Sequence, residues 1–247
     1  MGRLGVLGCQ AASLAVLLLA WEAAVRTGVA DPLFVPAPGA VAAALGSTVR
    51  EALPRLGDTL LKALLGYALA VGLGVAGGLV IGSRRLVHAV TMPYVVACYG
   101  VPKILVLPWI ALILGLGTST AVLTATLFAV FPILLMVAAG TRDVDPTLVT
   151  AAVSMGATRG QVSRKVLLPA VLPSVLAGMR VGVVFAMLGV LLAEMFAGNR
   201  GMGFLMQRMA MAFKASELFA ATLIVSILSI VVVLSLEHLN QRLSRWR

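Results

Sequence analysis

The chain has 247 residues, of which 61% are hydrophobic and 11% charged, with a mean hydropathy of +1.07. Soluble domains carry about 25% charged residues, so this composition leaves too little polar surface for a water-facing globule and excludes a soluble enzyme, a disordered chain and a disulfide scaffold. The net charge of +10 is read as topology rather than nucleic-acid binding. Basic loops retain membrane segments on the cytoplasmic side, and no basic stripe interleaved with aromatics occurs of the kind single-strand binders use.

A bilayer-spanning helix needs about 20 mostly apolar residues, which leaves room for six spans. The first is predicted over residues 4–25. Its charged start and apolar centre resemble a signal peptide, but the run continues through Trp21 without a small-residue cleavage site, so an uncleaved helix is expected. A polar, Pro-rich stretch from Arg26 to Asp58 follows, then a second span over about 59–82 that stops at Arg84-Arg85. In it Gly66, Ala70, Gly74, Gly78 and Gly82 recur every fourth residue and form one face where another backbone can approach closely. Static packing and a sliding surface are both compatible with that stripe, static packing being the simpler.

The third and fourth spans are expected over about 89–116 and 118–140, the fifth over 173–197 and the sixth over 217–236. Between the fourth and fifth lies the longest polar interval, residues 141–165. Basic residues at Arg84, Arg85, Arg142, Arg164 and Lys165 and in the tail at Arg242, Arg245 and Arg247 place that interval and both termini inside. Arg50, Arg55, Lys62, Arg200, Arg208 and Lys214 then fall on the opposite side. The architecture predicted is all-α and polytopic, a single domain over residues 1–247 with a core at about 59–240.

Within the interval, Asp145 can accept from the first free amides of a helix and Pro146 suits its first position. Gly156 supplies a stop, because glycine tolerates the left-handed conformation that ends helices. Val149, Ala152, Val153 and Gly156 are expected along one small apolar face of this helix of about three turns. Thr158 can cap a second helix that re-enters the membrane through Leu167-Leu168-Pro169. A short helix hung below a bilayer is a knob for a partner's groove or an amphipathic loop in the headgroups, and caps alone do not separate the two.

The spacing does. Thr150-Ala151-Ala152, three residues, Gly156, nine residues and Val166-Leu167-Leu168-Pro169 resemble the signature of binding-protein-dependent ABC importer permeases, in which Glu stands where this chain has Thr150. Leu33-Phe34-Val35-Pro36-Ala37-Pro38, Tyr99-Gly100-Val101-Pro102-Lys103, Phe131-Pro132-Ile133-Leu134 and Ala193-Glu194-Met195-Phe196-Ala197-Gly198 are similar to the branch that handles nitrate, sulfonates and taurine, a texture that thiamine-precursor permeases share. The resemblance implies a type I importer fold in which residues 141–169 are a cytoplasmic coupling segment. Thr150, Ala151, Ala152, Gly156, Ala157, Leu168 and Pro169 would then form the contact with an ATPase.

It further implies two permease copies, two cytoplasmic ATPase subunits holding ATP and Mg, an extracytoplasmic substrate-binding protein and a place in the bacterial inner membrane. The chain lacks the Gly-x-x-x-x-Gly-Lys-Ser/Thr phosphate loop that nucleotide hydrolysis of that kind uses, so it is expected to bind no cofactor and to be no enzyme. No nucleophile stands with a base, and Cys9 and Cys98 sit in apolar runs with no metal-ligand cluster around them. A stand-alone channel or secondary carrier would leave the spaced segment without a purpose.

Charged residues within spans face protein or water. Lys103 follows Pro102, and with Pro108 the two prolines favour a broken helix, which is tolerated where backbone lines a cavity. Lys103 is therefore either on the translocation path or a structural lysine bonded to the freed carbonyls. Glu194 lies too far from Lys103 in depth to pair with it; a bond to the amides of residues 198–203 is expected, with gating as the second role. Arg180 is expected to snorkel to the headgroups.

Overall fold

The computed structural model describes residues 3–243, so Arg245 and Arg247 of the basic tail lie outside the described residues. Among the described residues every regular element is helical. α1 (Arg3–Arg26) is a lone apolar helix tied to the rest through Val25, which is buried, and through Trp21, whose ring lies 5.8 Å from that of Phe219. α2 (Pro38–Ser83) runs 46 residues without a break, roughly 69 Å at 1.5 Å per residue. That is twice what a bilayer core of about 30 Å requires.

The expected start of this helix near Thr59 is thus too late by nearly six turns. Ala37 is extended and Pro38 stands in the first helical turn, where its missing amide costs nothing. Pro54, inside the helix, removes a single bond. The added half is held by tertiary packing: Ala52 buries itself against Met202, Leu205 and Met209 of α9 (Met202–Met211) and Ala221 and Val225 of α10 (Ala215–Leu243).

α2, α5 (Thr118–Arg142) and α8 (Leu168–Ala197) form the core. The five-residue stripe of α2 faces α5. A Cβ added at Gly74 would lie 2.8 Å from Ile133 Cγ2, and one at Gly78 would lie 2.7 Å from Val137 Cβ. Ile133 itself is fully buried. Hydrogen bonds cross the seams: Thr126 Oγ1 donates to the Gly66 carbonyl at 3.1 Å, and the Tyr67 hydroxyl to the Met179 carbonyl of α8 at 3.1 Å. The stripe is a close contact of backbones.

The third span is broken as the prolines predict. α3 (Arg85–Gly100) and the stretch made of a 3-10 turn at Lys103–Val106 and α4 (Leu107–Leu114) meet at 83°. No residue of α3 is buried. After α5 come α6 (Pro146–Ser154) and α7 (Arg159–Val162), and then a π-helical turn, Ser163–Leu167, that runs straight into α8. The fifth span therefore does not begin at Pro173, which lies inside α8. Pro169 cannot donate to the Lys165 carbonyl and its ring would crowd it; the wider π turn, closed by the Leu168 amide on the Ser163 carbonyl, accommodates this.

Two ends of the bundle result. At one, α6 and α7 follow α5. At the other, α9 links α8 to α10, and the Gly117 amide ahead of α5 donates to the Ala197 carbonyl at 3.1 Å.

Candidate functional site

At the first end, α6 is stabilised by its own termini. The Thr147 amide donates to Asp145 Oδ1 at 2.8 Å, a bond that holds the Asp145 carboxyl below its ordinary range. At the far end Gly156, with φ of +82°, follows the last turn. Its amide donates to the Val153 carbonyl at 2.9 Å and that of Ala157 to the Ala152 carbonyl at 3.0 Å, the two bonds of a Schellman ending. Thr158 and Gln161 then start α7 reciprocally. The Thr158 amide donates to Gln161 Oε1 at 2.8 Å, and the Gln161 amide to Thr158 Oγ1 at 3.4 Å.

The face expected of α6 divides in two. Ala152 is buried and Val149 half-buried toward the bundle, whereas Val153 and Gly156 are exposed. The outward tip is instead Leu148, Ala151 and Met155, the last 82% exposed. Thr150 is exposed as well, and its hydroxyl donates to the Pro146 carbonyl of its own helix at 3.0 Å. Ala157 is half-buried; Leu168 and Pro169, at the start of α8, are exposed.

At the other end lies a charged cluster that sequence reasoning missed. Lys62, expected among the loop cations on the side opposite α6, lies at that end but is 1% exposed. Its ammonium meets Asp58 Oδ2 at 2.6 Å and Glu194 Oε1 at 3.0 Å. The other Glu194 oxygen accepts from Thr59 Oγ1 at 2.8 Å and from the Gly203 amide at 3.0 Å. Thr59 Oγ1 in turn accepts from the Met202 amide at 2.8 Å. The carboxylate thus sits at the N-terminus of α9, where the helix dipole favours negative charge.

Gly201, φ +101°, opens that helix, and a Cβ there would collide with the Glu194 carboxyl group. The i,i+4 spacing of Asp58 and Lys62 was visible in sequence; their partner 132 residues away was not. Fully buried Glu194 joins α2, α8 and α9, and among the described residues it forms no hydrogen bond with Lys103.

Lys103 is half-buried at the break that Pro102 opens. Its ammonium donates to the Tyr99 carbonyl at 2.9 Å and lies 4.5 Å from the Tyr99 ring centroid and 5.2 Å from that of Phe131. The carbonyl is one that the ending of α3 frees, and the rings offer the cation their negative faces. Arg180, expected to reach for headgroups, pairs with Glu237 of α10 at 3.0 Å. Cys9 and Cys98 are exposed and unbridged, and among the described residues no group of three metal-ligating side chains gathers.

Comparison with known proteins places these features in a family. Residues 68–245 match the family described as binding-protein-dependent transport system inner membrane component. The chain is 29% identical to the taurine transport system permease protein TauC of Escherichia coli (strain K12) over 241 residues, which is 95% of this chain and 88% of that one. It is 28% identical to the formylaminopyrimidine transport permease protein ThiX of Halalkalibacterium halodurans over 94% of this chain and 93% of that one. In fold it resembles a chain of the MetNI methionine ABC transporter in an inward-facing conformation, with a TM-score of 0.69 at 19% identity over 78% of this chain and 96% of that one.

Proposed function

Because this chain belongs to the binding-protein-dependent transport system inner membrane components, the permease subunits of ABC importers, we propose that its α6–α7 segment is the contact through which a separate ATP-hydrolysing subunit drives transport. One observation carries the reading. α6 is capped at both ends by its own residues and buries only Ala152, while Leu148, Ala151 and Met155 point outward. A helix that holds its own shape and presents apolar side chains to water is built to be gripped by another surface.

The assembly we infer has two copies of this chain as a single transmembrane domain over residues 1–247, two ATPase subunits that hold ATP and Mg, and an extracytoplasmic binding protein. It sits in the bacterial inner membrane with α6 and both termini on the cytoplasmic side. Closure of the ATPases on ATP pushes α6, which moves α5 and the π turn at the head of α8, and the two permease copies rock about a shared path. The bent α3–α4 segment lines that path, since irregular backbone at membrane depth needs protein or water beside it. Pro102 makes the bend and Lys103 holds it, whereas Glu194 anchors the far end from behind.

The cargo is a small anion of the nitrate, sulfonate or taurine kind. The likeness to ThiX favours a second reading, a thiamine-precursor importer, and the ligand that stabilises the cognate binding protein decides between them.

Co-purification with a P-loop ATPase tests the docking. Gly156→Arg, whose Cβ would meet nothing within 4 Å but which cannot adopt the left-handed turn without strain, is expected to abolish ATP-dependent uptake with the permease still inserted; retained uptake overturns the role of α6. Lys103→Met is expected to lower uptake several-fold with assembly intact, and uptake at the wild-type rate removes Lys103 from the path.

A further inference from the structure

Behind α6 lies a cleft of about 620 Å³, between that helix, the last turn of α2 and the start of α8. Leu79, Val80, Val149, Val153 and Leu168 make its walls, and Arg84 stands at its rim. The volume equals roughly 20 waters at about 30 Å³ each, yet most of the lining is aliphatic. Ser83 and Thr141, among its few polar groups, direct their hydroxyls to carbonyls of their own helices. Water filling the space would have little to bond.

The charge at the rim is one-sided. Arg84 is exposed, has no ion pair among the described residues, and is followed directly by Arg85. No carboxylate lines the cleft. Val80 and Leu168, both walls of the cleft, are 53% and 50% exposed, so the space is open rather than enclosed where α2 ends and α8 begins. An occupant must therefore be anionic at one end, aliphatic along the rest and able to arrive from the membrane plane.

We infer that the cleft holds one anionic phospholipid, its phosphate on Arg84 and an acyl chain between Val80, Val153 and Leu168. Basic residues at span ends attract acidic headgroups; this position adds a shaped apolar slot beneath the helix that the proposed ATPase contact would push. A filled slot makes α6 bear on α2 and α8 rather than collapse toward them. The inference needs the helices to span a membrane, which the family match supplies, and depends on neither the cargo nor the ATPase reading.

Native mass spectrometry of the full chain, extracted in mild detergent and titrated with phosphatidylglycerol and phosphatidylcholine of identical chains, tests it. The wild type is expected to keep one phosphatidylglycerol about tenfold more tightly than phosphatidylcholine. Arg84→Gln is expected to erase the preference, Arg85→Gln, outside the lining, to keep it, and Val153→Trp to expel the lipid by filling the slot. Equal retention of the two lipids, displacement by inorganic phosphate, or undiminished binding in Arg84→Gln overturns the inference. So does displacement of the lipid by an added ATPase subunit, which would make the cleft part of that partner's seat. Arg84 is exposed at a helix junction, so its replacement decides the matter even where Val153→Trp fails to express.

Discussion

The two ends of the bundle are held by opposite means. At the α9 end, α2 meets α8 and α9, which lie far from it in sequence, on one buried ammonium and one buried carboxylate, each polar atom of which has a named partner. At the α6 end the bonds are local, spanning two to five residues, and a cleft separates the helix from the bundle. Long-range buried polar contacts set where elements sit and leave little freedom; local caps set the shape of an element and leave its position to whatever touches it. The first end is built as a fixed joint and the second as a handle.

That contrast can be broken most forcefully at Lys62. Lys62→Met strands Glu194 in a buried site and is expected to cost about 3–5 kcal/mol, the usual penalty for halving a buried pair. Thermal unfolding in detergent reads the loss, and the double variant Lys62→Met/Glu194→Met should recover part of it. An unchanged melting temperature in the single variant would mean that the joint is not a joint. Next comes Gly201→Ala, which adds a Cβ against the Glu194 carboxyl group at a left-handed φ. About 1–3 kcal/mol is expected from the backbone strain alone, visible in the same melts.

The handle should respond differently. Gly156→Ala, at φ +82° but in open space, is expected to cost about 1 kcal/mol and to speed amide exchange over 146–157 with the global melt unmoved. A lowered global melt would show that α6 is part of the core after all.

The smallest effect concerns the Asp145 cap. Its carboxyl titrates below the usual range because the Thr147 amide bonds the charged form, so its contribution to α6 is in full force above about pH 4, the ordinary carboxylate value, and fades as pH falls through the lowered one. Exchange at Thr147, corrected for intrinsic rates, should rise over that acid range in the wild type. In Asp145→Ala it should already be raised and lack the step.

Much of this architecture was legible before any coordinates. Apolar runs of span length located the five helices long enough to cross a membrane and the bent α3–α4 pair that would make a sixth, since a bilayer leaves a helix no other way to satisfy its backbone. The caps of α6 were equally readable, because Asp145, Pro146 and Gly156 act on neighbours within a turn. Boundaries fared worse. Pro54 and Pro173 look like breaks in a one-dimensional reading, and both lie inside helices whose flanks are packed against other elements.

Sequence by itself therefore determined the class of molecule, the apolar runs of its spans and the form of its protruding helix, all of which depend on hydropathy and on hydrogen bonds between near neighbours. Tertiary structure alone decided that Lys62 is buried at its end of the bundle, that Glu194 is its counterion across 132 residues, and which side of α6 faces away from the bundle. Charges in an apolar interior survive only where an opposite charge and donors converge on them, and convergence is a property of how helices cross, which no local pattern encodes.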